Sequence, residues 1–225
     1  MVRNDLLFYI VSIGMTAASL LFGRKAVFSE LRQTEDEDIC RKGRSKWTLI
    51  CAAGFAGIMF LFYSHKSIPM ERLLFLLYVF LYSSFIGLVD LYSHNYYLEM
   101  LPGLLLFIPI GYITWGMTDA LAGLLAGICV GFILAIMEWL FFRRLSYGGG
   151  DTVYGAAASA LVGYPNLILY WGSFTLILIL AAIVHIVNVK AIRKQSLSDN
   201  RFVPLLPWFS ILTTIFFAIL ITVNC

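Results

Sequence analysis

Of the 13 acidic residues in this chain, five stand inside or at the edge of long apolar runs: Asp90, Glu99, Asp119, Glu138 and Asp151. A carboxylate near hydrocarbon is costly and needs a reason. Asp119 follows a short turn and is expected to cap the helix after it. Glu138 precedes Arg143 and Arg144 by one to two helical turns and is expected to pair with an arginine. Asp90 and Asp151 are harder to explain. Asp90 closes an apolar run, where the helix dipole disfavours a negative charge by a few tenths to about 1 kcal/mol. Asp151 opens another, behind Gly148, Gly149 and Gly150. An N-cap role accounts for that aspartate but not for three consecutive glycines. Glycine tolerates positive φ and lets another backbone come close, which suits a substrate strand approaching the side chain that follows.

Two carboxylates brought within a few ångströms cannot both ionise easily, so one keeps a proton and the pair titrates as a unit. The ionised partner can take a proton from water attacking a peptide carbonyl, while the protonated one hydrogen-bonds the carbonyl oxygen as charge develops there. This chemistry needs no metal. His94 and Glu99 follow Asp90 and are read either as polar residues at the membrane interface or as groups that tune its protonation and hold a substrate. Serine-histidine catalysis is poorly supported: His65 is expected to face outward, His185 to sit inside a helix, and His94 has no serine at a recognisable elbow. The four cysteines, Cys40, Cys51, Cys129 and Cys225, form no CxxC pair, which argues against a zinc knuckle or a redox motif. Cys51 and Cys129 lie in apolar runs and are expected to be packing residues.

The elements that must hold these groups are membrane helices. Only 13% of the 225 residues are charged and 60% are hydrophobic, with a mean hydropathy of +0.86. A soluble domain carries about 25% charged residues. The net charge of +3 also disfavours nucleic acid as a partner. Continuous apolar runs predict an all-α, polytopic membrane bundle of eight helices over Leu6–Phe22, Trp47–Tyr63, Arg72–Val89, Leu101–Met117, Asp119–Phe142, Asp151–Gly163, Leu167–Val189 and Phe202–Val223, forming one membrane domain over 1–225. Of the 16 basic residues, 13 fall in alternate loops: seven between Arg24 and Lys46, then Arg143, Arg144, Lys190, Arg193, Lys194 and Arg201. The positive-inside rule therefore puts both termini outside and both aspartates on the cytoplasmic side. Gly23–Lys46 is expected to be a short charged cytoplasmic loop. Gly123, Gly127 and Gly131 recur at four-residue spacing, as do Gly155, Ser159 and Gly163, so the two helices that carry them should pack closely. The helix opened by Asp151 is short, roughly 21 Å for 14 residues. Against about 30 Å of hydrocarbon, that would leave Asp151 recessed.

The stretch FIGLVDLYSHNYYLEMLPGLLLF, followed by FFRRLSYGGGDTVYGAAASALVGY, resembles the two aspartate motifs of the type IV prepilin peptidases, the GxGD-type membrane aspartic proteases. RFVPLLPW, before the last helix, is similar to a proline-containing motif of that family. The resemblance covers Leu74 to Trp208, residues 74–208.

It implies cleavage of prepilin-like leader peptides at the cytoplasmic face of an inner or plasma membrane, in pilus, secretion or competence assembly. It makes Asp90 and Asp151 the catalytic pair and Gly148 and Gly150 the motif glycines. Thr152, Val153 and Tyr154 stand where the family commonly has a lysine near the GGGD aspartate. Many members also bind zinc through paired cysteines and N-methylate the new terminus with S-adenosylmethionine. Here the corresponding loop has only Cys40, so neither a metal nor another cofactor is expected, and no methyltransferase activity. A presenilin or signal-peptide-peptidase type protease shares the GxGD idea, but the short chain and Val89 before Asp90 argue against it. A small proton-coupled transporter using the same aspartates would need more polar residues in the spans.

Overall fold

The computed structural model describes residues 5–34, 37–93, 100–142, 149–187 and 206–223. Among these there is no strand. In order they form α1 (Asp5–Thr34), α2 (Glu37–Ser64), α3 (Met70–Ser93), α4 (Leu101–Leu105), α5 (Phe107–Trp115), α6 (Met117–Phe142), α7 (Gly149–Val162), a 3-10 turn (Tyr164–Asn166), α8 (Leu167–Val187) and α9 (Leu206–Val223). The all-α class therefore stands. Among the described residues, five windows are long and apolar enough to cross a membrane: Asp5–Phe22, Ser45–Ser64, Met70–Leu91, Met117–Met137 and Leu206–Val223. Gly150–Val162 and Tyr164–Ile177 form a pair bent by 109°, which makes a sixth if counted as one span.

The three remaining expected spans are shorter or bent, and glycine and proline are the reason. Pro109 clashes with the carbonyl of the residue four before it, Leu105, where α4 ends. Gly116, at φ 97°, turns the chain between α5 and α6. Gly163, at φ 79°, together with Pro165, ends α7 and redirects the chain into α8. Helix also continues through most of the expected Gly23–Lys46 loop, since α1 runs to Thr34 and α2 begins at Glu37. All the charged residues there except Asp36 and Asp38 are lysines, arginines and glutamates, which are good helix formers.

The chain divides into two compact units, Met1–Leu104 with Thr213–Cys225, and Leu105–Leu212. In the first, α1 and α2 are antiparallel. Phe8 stacks on Phe62 at 4.3 Å near one end, and Trp47 Nε1 donates to the Ser19 carbonyl at 3.0 Å near the other. Both pack on α3, where Trp47 meets Phe85 edge-on and the Phe80 ring covers Gly54. The short α4 is tied to α3 by two stacked tyrosines. Tyr78 Oη donates to the Gly103 carbonyl at 2.8 Å and Tyr82 Oη to that of Met100. Carbonyls beside a helix break thus find partners without water, as an apolar setting requires.

The second unit is built around α7. α6 runs antiparallel to it, and the expected close packing is present. A Cβ added at Gly127 would lie 2.7 Å from the Ala156 Cα, one at Gly131 2.5 Å from Thr152 Cγ2, and one at Gly123 would strike the Ser159 carbonyl. α5 runs parallel to α7, from Phe107 beside Tyr154, through Gly111 against Ala160, to Trp115 against Gly163.

Candidate functional site

Asp151 lies in the first turn of α7, which begins two residues earlier at Gly149. It is not an N-cap. A carboxylate in a first turn is favoured by the helix dipole. Gly149 and Gly150 are helical, so the expectation that these glycines provide positive φ does not hold for them. The first turn has no intrahelical acceptor to lose, which lets glycine stand there cheaply. What they supply is a backbone without side chains immediately before the carboxylate. Gly148 lies outside the described residues. Asp151 and Thr152 are half-buried and Val153 is exposed, whereas Tyr154 to Gly163 are buried throughout.

The far end of α7 is closed by its neighbours. The last four carbonyls of a helix have no partner within it. Here the Gly163 amide donates to Ser159 at 3.0 Å, Trp115 Nε1 to Leu161 at 2.7 Å, and Asn166 Nδ2 to Val162 at 3.0 Å. The fourth carbonyl, that of Ala160, faces the bare Cα of Gly111, the setting of a weak C–H···O contact. One turn nearer Asp151, Trp171 Nε1 donates to Ser159 Oγ at 3.1 Å.

An aromatic cluster buttresses the half of α7 that carries Asp151. Tyr154 meets Phe107 at 6.2 Å and Phe209 at 5.7 Å, Phe174 stacks on Phe209 at 3.5 Å, and Trp171 lies over Gly155. Phe209 is in the first turn of α9, just after Pro207, so the proline-containing stretch enters the fold beside α7. Residues 201–205 of that stretch lie outside the described residues.

Asp90 is half-buried near the C-terminal end of α3, following a buried run from Ile86 to Val89. It belongs to the first unit and Asp151 to the second. Of the predicted site residues, the structure groups Gly149, Gly150 and Asp151 in one helical turn. His94 and Glu99 lie outside the described residues, as do Arg143 and Arg144, and Glu138 falls on α6.

Two expectations are corrected. Asp119 is in the first turn of α6 rather than capping it, because that helix already begins at Met117 behind the Gly116 turn. Cys51 is buried as expected, but Cys129 is exposed on the outer face of α6, away from the glycine face that meets α7. Among the described residues, no three His, Cys, Asp or Glu side chains gather as a metal site requires.

Trp115, Asn166, Trp171 and the Tyr78–Tyr82 pair were not singled out from sequence. Their nearest signal is position: Trp115 precedes a turn glycine and Asn166 follows a proline. No family model, curated protein or solved structure matches this chain.

Proposed function

We propose that this chain is a multi-pass membrane aspartic endopeptidase of the prepilin-peptidase type, with Asp90 and Asp151 as its catalytic pair. The observation that carries the reading is the setting of Asp151. It stands in the first turn of a half-length, buried helix, behind glycines that leave its approach bare, in a chain with few charges near apolar surroundings. Asp90, at the end of α3 where the dipole disfavours it, supplies the second carboxylate.

In the proposed reaction one proton is shared by the two carboxyl groups. The ionised one removes a proton from a water molecule, whose oxygen attacks the scissile carbonyl carbon. The protonated one gives its proton to the carbonyl oxygen, forming a neutral gem-diol. Collapse breaks the C–N bond: the protonated carboxyl gives its proton to the leaving amine while the ionised one takes a proton from a gem-diol hydroxyl, which leaves a carboxylic acid product and restores the shared proton. Glycines 148 to 150 let the substrate backbone lie close. His94 and Glu99 are assigned to the substrate leader.

The distribution of basic residues supports eight apolar segments with both termini outside and the aspartates toward the cytoplasm. Arg143 and Arg144 precede α7, and Lys190, Arg193 and Lys194 follow α8, so the bent pair returns to the side from which it starts. The substrate is a prepilin-like protein, and the enzyme needs neither metal nor other cofactor.

The test is coexpression with a prepilin-like substrate, read by intact mass. Cleavage by the native chain and its loss in Asp90→Asn and Asp151→Asn, at unchanged membrane abundance, are expected. Full processing by either variant would overturn the assignment.

A further inference from the structure

We infer that the hairpin formed by α1 and α2 holds an anionic phospholipid at its foot, with acyl chain against Leu21, Phe22 and Leu49 and phosphate at the level of Lys25 and Lys46. All of these residues belong to the first unit, so nothing in this site depends on the paired aspartates.

α1 and α2 outrun the apolar windows that could cross a membrane. Their 30 and 28 residues reach roughly 45 and 42 Å at 1.5 Å per residue. A hydrocarbon layer is about 30 Å thick. The windows end at Phe22 and begin at Ser45, but the helices continue to Thr34 and from Glu37. Trp47 ties α2 to the Ser19 carbonyl of α1, and Gly43, beyond the window, is still buried. Stacking of Phe8 on Phe62 at one end, and the joint from Thr34 to Glu37 at the other, put Phe22 level with Leu49 and Lys25 level with Lys46. At the first level Leu21, Phe22 and Leu49 are between 70% and 74% exposed. About one turn farther out, Lys25 and Lys46 are exposed.

The charges of the hairpin are sorted by height. Arg24, Lys25, Arg41, Lys42, Arg44 and Lys46 occupy positions within the first two turns beyond Phe22, roughly 9 Å along the axis. No acidic residue lies below Glu30, which is level with Arg41. The joint that follows in sequence carries four acids, Glu35, Asp36, Glu37 and Asp38. Orientation in a membrane asks only for an excess of basic residues on one side. It does not ask for them to gather beside the apolar edge with the acids kept away. Basic residues immediately outside a membrane helix favour anionic lipid by about fivefold each.

What covers this foot must be apolar on one side of its phosphate and anionic at it. A free phosphate or an acidic protein segment would meet the basic positions and leave Leu21, Phe22 and Leu49 bare. A phospholipid meets both levels, and a lysine stem can lie along apolar surface while its ammonium group reaches the headgroup. The acids of the joint are repelled by an anionic surface, which confines the lipid to the foot of the hairpin.

The experiment uses the full chain in a neutral detergent, incubated with equal amounts of dioleoylphosphatidylglycerol and dioleoylphosphatidylcholine and read by native mass spectrometry. The native chain should retain phosphatidylglycerol in preference by at least about tenfold. Arg24→Gln, Lys25→Gln, Arg44→Gln and Lys46→Gln together should abolish that preference. Arg143→Gln, Arg144→Gln, Lys190→Gln and Arg193→Gln together remove as much charge elsewhere and should leave it within about twofold. Equal losses in the two variants overturn the inference, because general positive charge would then account for the retention. Unchanged preference in the first variant overturns it as well. If that variant does not fold, Lys25→Gln with Lys46→Gln replaces it, with a loss of at least about threefold expected and no loss contradicting the site. Glycerol 3-phosphate in about tenfold excess should not displace the lipid, and displacement would show a site for free phosphate and contradict the apolar half.

Discussion

Gly127→Ala tests whether the contact between α6 and α7 sets the site. The added methyl would lie 2.7 Å from the Ala156 Cα and from Ser159 Oγ, against roughly 3.5 to 4.0 Å for carbon atoms at their optimum separation. Ala156 Cα is backbone, so relief requires the helices to part by about 1 Å. If about 40 carbon pairs at 0.1 to 0.2 kcal/mol each lose a quarter to a half of their attraction, the cost is about 1 to 4 kcal/mol. Against this, Ala for Gly in a helix returns up to about 1 kcal/mol. A net loss of about 2 kcal/mol is expected, inside the range for overpacking. Gly57→Ala on α2 is the control, since nothing lies within 4 Å of its added methyl. It should be neutral or slightly stabilising. The assay is thermal unfolding in detergent, with substrate cleavage measured alongside. A 1 Å shift of α7 should lower cleavage by up to about a hundredfold, because misplacement of that size disturbs the reacting geometry. Equal stability and equal activity of the two variants would refute the argument that this contact holds Asp151 in place.

Four further outcomes follow. Trp115→Phe keeps a ring over Gly163 but leaves the Leu161 carbonyl without its donor, so the protein should lose about 1 to 3 kcal/mol in chemical denaturation, and retention of full stability would contradict the capping role. Gly163→Ala adds a side chain at φ 79° and 3.1 Å from the Trp115 ring, and should lower the melting temperature by a cost of at least about 1 to 2 kcal/mol. Ser12 is fully buried with a hydroxyl that has no partner among the described residues, so Ser12→Ala should hold or raise stability, by up to about 1 kcal/mol, and a loss would show a missed partner. Purified protein should carry no stoichiometric metal by elemental analysis and transfer no methyl group from S-adenosylmethionine, and either finding would reverse the reading of Cys40 as a lone cysteine.

The helices were legible because long apolar runs in a chain this poor in charge have few alternatives, and the α6–α7 contact because three glycines at four-residue spacing leave a groove on one helix face. The break between α4 and α5 was also present, in Pro109, but an average over the apolar run hides a single proline. Gly23–Lys46 has the charge of a loop, although its lysines, arginines and glutamates favour helix. The position of Asp151 at a helix start was legible, but the conformation of Gly149 and Gly150 was not, since glycine suits both a loop and a first turn. The caps on α7 could not be read at all. Trp115 reaches a carbonyl 46 residues away, and only tertiary packing brings the two together.

The most direct test of the account replaces Asp90 and Asp151 together by cysteine in a chain lacking its other cysteines, and treats membranes with a short bifunctional thiol reagent. A shared proton requires the two side chains to meet, so cross-linking within one chain is expected. Quantitative labelling of both cysteines with no cross-link, in protein that retains its native melting temperature, would contradict the claim that these carboxylates act as one acid-base pair.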